Sequence, residues 1–66
     1  MVKLILDKYL AKRGMTRYIL SQKAGIRYAI VDNYYKNKVV RYDSDVLDRI
    51  CRALDCEIAD ILVCEK

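Results

Sequence analysis

Tyr28, Ala29, Asp32 and Asn33 carry a phenol, a methyl, a carboxylate and a carboxamide at spacings that put them on one face of a helix, with Lys36 a turn further on. A carboxamide presents a donor beside an acceptor and can pair with adenine N6 and N7 together. A carboxylate can accept from cytosine N4, and a methyl can pack on that of thymine. Around this group stand the cations Arg17, Arg27, Lys36, Lys38 and Arg41, suited to phosphate oxygens. Groups for bond-making are scarce. The chain has no histidine, and its non-phenolic hydroxyls are Thr16, Ser21 and Ser44. Cys51, Cys56 and Cys64 lie five and eight residues apart with no C-x-x-C pair, so neither a metal site nor a cofactor is expected. The inventory points to recognition and away from an enzyme.

The elements that must hold these side chains are helical. Leu6, Tyr9 and Leu10 form an i, i+3, i+4 stripe, which predicts an amphipathic first helix over Lys3 to Arg13, stopped at Gly14. Thr16 is the expected N-cap of a second helix, Arg17 to Ala24. Gly25 supplies a left-handed turn and Ile26 anchors it. A third helix runs from Arg27 or Tyr28 to Lys36, and Asn37 suits the left-handed conformation that would end it. Val39 to Tyr42 reads as a loop, and Asp43 as the N-cap of a fourth helix carrying Val46, Leu47, Ile50, Cys51 and Leu54 inward. Asp55-Cys56-Glu57 breaks it. Ile58, Ile61 and Leu62 then predict a short fifth helix. The expected fold is all-α, a compact five-helix domain spanning residues 1–66.

Within it, Leu20, Ser21, Ala24, Gly25, Ile26, Val31 and Tyr34 stand at the offsets that lock two short helices across a tight turn. Ser21 is small where the helix axes approach most closely. This is the pattern of a helix-turn-helix, whose second helix is presented to the major groove of DNA. With Val31 and Tyr34 inward, Tyr28, Ala29, Asp32, Asn33 and Lys36 are left outward.

Charge is distributed in the same sense. Residues 1–42 hold ten Lys and Arg against two acids, whereas residues 43–66 hold three against seven, within a net charge of +4. A basic face around the third helix fits a polyanion such as double-stranded DNA. Val2 to Leu6 is too short and too interrupted by Lys3 for a signal sequence, and no run approaches membrane-spanning length. The odd cysteine count fits a reducing cytoplasm.

Gly14-Met15-Thr16 through Asn37-Lys38, followed by Leu47 to Cys56 with its C-x-A-L-x-C segment, resembles the phage Cro and repressor (XRE-type) helix-turn-helix family. The likeness is to its small stand-alone members. It implies sequence-specific double-stranded DNA binding, a role in transcriptional control (repression above all) and binding to operators as a homodimer. Matched to the family pattern, Tyr28, Ala29, Asp32 and Asn33 become base readers, and Arg17, Arg27, Lys36, Lys38 and Arg41 phosphate contacts. Val39, Val40, Val63 and Cys64 are the candidates for a contact between copies. Three positions depart from the pattern. Arg27 stands where a Ser or Thr N-cap is usual, Arg17 replaces a frequent Gln, and Leu10 and Tyr35 stand where many members pair Arg with Glu. The competing expectation is a protein-interaction module, an antitoxin-like partner built on the same fold.

Overall fold

The computed structural model describes residues 1–65. Its elements run β1 (Val2–Leu4), α1 (Leu6–Arg13), α2 (Arg17–Ala24), α3 (Tyr28–Tyr35), α4 (Ser44–Leu54), a 3₁₀ turn (Ile58–Asp60) and β2 (Leu62–Cys64). Four α-helices carry the architecture, as the periodicities of residues 6–54 require. Leu6, Leu10, Leu20, Val31, Ile50, Leu54 and Ile61 are fully buried in one cluster.

The helix boundaries follow local chemistry. Gly14 and Gly25 both adopt the left-handed conformation, at φ +65° and +67°, and end α1 and α2. Thr16 Oγ1 accepts from the Ile19 N–H at 3.2 Å, capping α2. Asp43 caps α4, its carboxylate accepting from the Asp45 N–H at 2.8 Å. At the far end of α4, Asp55 turns left-handed at φ +52°, and the Cys56 N–H closes on the Cys51 carbonyl at 3.0 Å. That bond, with the Asp55 N–H to the Arg52 carbonyl, makes a Schellman cap.

The two ends of the chain depart from the expected all-helical form. Helix α1 begins at Leu6, because Val2–Leu4 is extended and pairs antiparallel with β2 in the register Val2↔Cys64, Lys3↔Val63, Leu4↔Leu62. The expected fifth helix is reduced to one 3₁₀ turn, closed by a reciprocal Glu57–Asp60 capping box, after which Leu62 enters the strand. A turn of three residues cannot bury Ile58, which is exposed, whereas Ile61 beyond it is fully buried. An isolated two-stranded ribbon is marginal in water. This one is anchored by Leu4, 4% exposed within the core, and by the Asn37 side chain, which accepts from the Leu4 N–H at 3.1 Å.

Candidate nucleic-acid interface

The interface is built on the seam between α2 and α3. Leu20, Ser21 and Ala24 of α2 and Val31 and Tyr34 of α3 are buried, while Ile26 in the turn is half-buried against the same core. Ser21 donates through Oγ to the Tyr18 carbonyl at 2.6 Å, so its hydroxyl is satisfied inside its own helix and costs the seam nothing. The Ile26 N–H returns to the Ser21 carbonyl at 3.0 Å. Tyr34 also ties α3 to the start of α4: its hydroxyl accepts from the Asp43 N–H at 3.0 Å, and its ring meets Tyr42 edge-on. Helix α3 is thus held from α2, from α4 and, through Asn37, from the ribbon.

The outward face divides in two. Tyr28, Ala29 and Asn33 are exposed, with Tyr28 at 45%. Arg27 stands at the N-cap of α3 in extended conformation, and no side chain caps that helix end. Asp32 behaves differently from its neighbours. Its carboxylate accepts from Arg17 Nη1 at 2.5 Å and from Lys36 Nζ at 3.1 Å. The hydrogen bond from Lys36, reinforced by Arg17, holds the Asp32 carboxyl below the usual carboxylate range despite partial desolvation. The Arg17 guanidinium in turn lies over the Tyr35 ring at 4.5 Å and near Tyr28 at 6.0 Å.

Four of the expected site residues, Arg17, Tyr28, Asp32 and Lys36, therefore meet in one cluster with Tyr35. Arg27, Lys38 and Arg41 are exposed and make no side-chain ion pair among the described residues. Tyr35, with Leu10, stands where many family members pair Arg with Glu. It does pack on the core, half-buried, but it is also the platform for Arg17. The Asp32–Lys36 spacing of i, i+4 is a signal of pairing that sequence does carry. The bond from Arg17 joins residues fifteen apart on different helices and has no such signal.

The cysteines lie away from this face. The Schellman cap of α4 sets Cys56 against Cys51, where burial pushes the Cys56 thiol up to about 11 and raises that of Cys51. Burial thus disfavours the thiolate, the form that binds metals, at both sulfurs. The described residues hold no group of three metal-ligating side chains and no helix long and apolar enough to cross a membrane.

A rigid two-helix seam with an exposed, cation-flanked second helix defines a helix-turn-helix DNA-binding protein. Comparison with known proteins gives the family: the model of the Cro/C1-type HTH DNA-binding domain matches residues 5–66, and the chain belongs to that family. It is also similar to YozG of Bacillus subtilis (strain 168), an uncharacterized HTH-type transcriptional regulator. The two are 37% identical over 57 residues, covering 86% of this chain and 68% of that protein. No solved structure matches.

Proposed function

We propose that this chain is a sequence-specific transcriptional regulator, acting as a repressor by occupying its operator, with residues 1–66 as a single domain working in the cytoplasm. Helix α3 lies in the major groove. Asn33 reads adenine, Ala29 packs on a thymine methyl, and Tyr28 meets the groove edge at the start of the helix. Arg27, Lys38 and Arg41 contact phosphate directly, and Arg17 and Lys36 do so once released from Asp32. The observation that carries the reading is the division of α3. Val31 and Tyr34 are locked into the core, while Ala29 and Asn33 on the opposite face are exposed with cations on both sides. The reading assigns no catalytic step and no cofactor.

The same proposal includes a homodimer. The ribbon is closed by backbone bonds at Ile5–Ile61 and Met1–Glu65, so alternation directs the N–H and C=O of Leu62 and Cys64 outward from β2. On β1 the corresponding edge is occupied: the Leu4 N–H by Asn37 and the Val2 carbonyl by the Tyr42 hydroxyl. Among the described residues nothing occupies the β2 edge. Two copies related by a two-fold axis can pair these strands antiparallel, Leu62 with the other copy's Cys64, which uses each outward N–H and C=O once, in four bonds.

Selection of random duplexes by the purified protein, followed by titration over a range of salt, tests the reading. If about four to six phosphates are neutralised, the log–log slope is on the order of −4 to −5 per protomer. Replacing Lys38 with Ala lowers it by about one unit on every sequence. A symmetric selected site supports the dimer. Capture of an acidic protein with no salt-dependent affinity for DNA would establish the interaction-module alternative instead.

A further inference from the structure

The DNA-binding reading leaves Asp32 without a role that its surroundings permit. Both oxygens of this carboxylate already accept from a cation, Oδ1 from Arg17 and Oδ2 from Lys36, so a base would have to compete for them. Pairing with cytosine N4 would exchange a charge-assisted bond for a neutral donor, which is the weaker partner. The side chains also differ in accessibility: Asp32 is 22% exposed, Arg17 34% and Lys36 47%. The carboxylate therefore sits beneath the two cations. Both cations are the more accessible partners, so an arriving phosphate meets them before it meets the carboxylate. To Arg17 and Lys36, the oxygens of Asp32 offer what phosphate oxygens offer, an anionic acceptor at hydrogen-bond distance.

Resting on that reading, we propose that Asp32 is the internal counter-ion of the interface. It holds Arg17 and Lys36 against itself until phosphate displaces it, and thereby sets the preference for the operator over unrelated DNA. Arg27, Lys38 and Arg41 have no such restraint and act on any duplex. Arg17 and Lys36 are engaged only when α3 seats deeply enough for a phosphate to compete at contact distance. Base contacts by Ala29 and Asn33 make that possible. At longer range the cluster presents a net single positive charge in place of two, screened beyond about 8 Å at physiological salt. The Arg17 guanidinium lies over the Tyr35 ring at 4.5 Å, which keeps it on this face whichever anion it pairs with. Asp32 is in this sense a positioning and discriminating residue that does not itself touch a base.

The test is Asp32→Asn, measured on the selected duplex and on an unrelated one across a salt series, with thermal unfolding to confirm the fold. Removing the carboxylate raises the net charge of the cluster by one, the equivalent of one further phosphate neutralised on unrelated DNA. That steepens the slope by about 0.9 and tightens binding at 0.1 M salt by about tenfold relative to the 1 M limit. The selected duplex, where the cations are already released, gains much less, so the preference ratio falls. Adding Arg17→Gln to Asp32→Asn removes the gain. Should Asn at this position not fold, Asp32→Ser is measured in the same way. Unchanged slope and affinity on unrelated DNA overturn the inference, as does a loss confined to one base pair of the selected site. If the wild-type chain binds no duplex with a salt dependence, the DNA-binding reading falls and this inference with it. Normal wild-type binding with a parallel Asp32→Asn line removes the inference alone.

Discussion

Asn33 and Asp32 are neighbours on one helix with opposite circumstances. Asn33 is exposed, and its backbone carbonyl accepts from the Lys38 N–H at 2.9 Å, leaving the carboxamide to face solvent. On the proposed reading, replacing Asn33 with Ala removes a base contact and nothing that holds the fold. The expected loss is about 1–3 kcal/mol on the preferred duplex with little change on unrelated DNA, measured by titration at one salt concentration. An equal loss on both would reduce Asn33 to an orienting contact. For Asp32 the consequence is visible without DNA. Its folded-state carboxyl is held below the ordinary value by Lys36 and Arg17. A depressed carboxylate contributes stability above its unfolded pKa, about 3.9, and loses it as pH falls through the lower folded value. Glu65 is lowered by its hydrogen bond to Lys3 and contributes in the same direction. Thermal unfolding between pH 4 and pH 2 therefore declines in the wild-type chain and declines less steeply in Asp32→Asn. Parallel declines would show that the ion pair contributes nothing to the fold.

At the scale of elements, α2 and α3 depend on one turn, and the turn depends on backbone conformation more than on space. A Cβ built at Gly25 would meet only Arg49 Nη1 at 3.5 Å, an ordinary contact, yet φ is +67°. Gly25→Ala is expected to cost about 1–2 kcal/mol from the left-handed conformation alone, and Gly25→Val more, since β-branching adds to the same clash. Ser21→Leu acts through volume: at 6% exposure in the seam it overpacks by about 1–3 kcal/mol. For a domain of this size each kcal/mol lowers Tm by roughly 4–8 °C, so a melting curve separates the cases. Variants that melt like the wild type and still bind DNA would place the helix crossing elsewhere. These features were legible because they are local. Thr16, Gly14, Gly25 and Asp43 act on residues within a few positions, as does the left-handed backbone of Asn37, and the apolar stripes repeat within a turn or two. The cluster of Arg17 and Asp32 was not legible, because it exists only once the seam has brought two helices side by side. The Tyr35 platform was hidden for the same reason.

The whole molecule adds what neither helix nor turn contains, the meeting of its two ends. Lys3 and Leu4 read as the start of a helix and Leu62 as part of another, since each stretch is too short to show a period of its own. Strand pairing supplies the missing information from sixty residues away, and Asn37 registers the ribbon on the end of α3 through its bond to Leu4. The ribbon thereby becomes a second rigid edge beside α3. Its outer strand is where a partner copy is expected, and proline can test this selectively. The Cys64 N–H points away from β1, so Cys64→Pro removes no bond of the ribbon. An edge strand tolerates proline at such a position, and the residue before it, Val63, is already extended as proline requires. The variant is expected to melt close to the wild type. Two of the backbone bonds across the two-fold axis are lost with the N–H of each copy, and the proline rings obstruct the approach of the strands. Sedimentation should then shift toward the monomer. Affinity for a duplex with two symmetric half-sites should drop toward that for a single half-site, while single half-site binding stays the same, because the α3 face is untouched. A variant that remains dimeric and still binds the symmetric duplex tightly would move the contact between copies to another surface, with the exposed Val40 of the loop after α3 the next to be replaced.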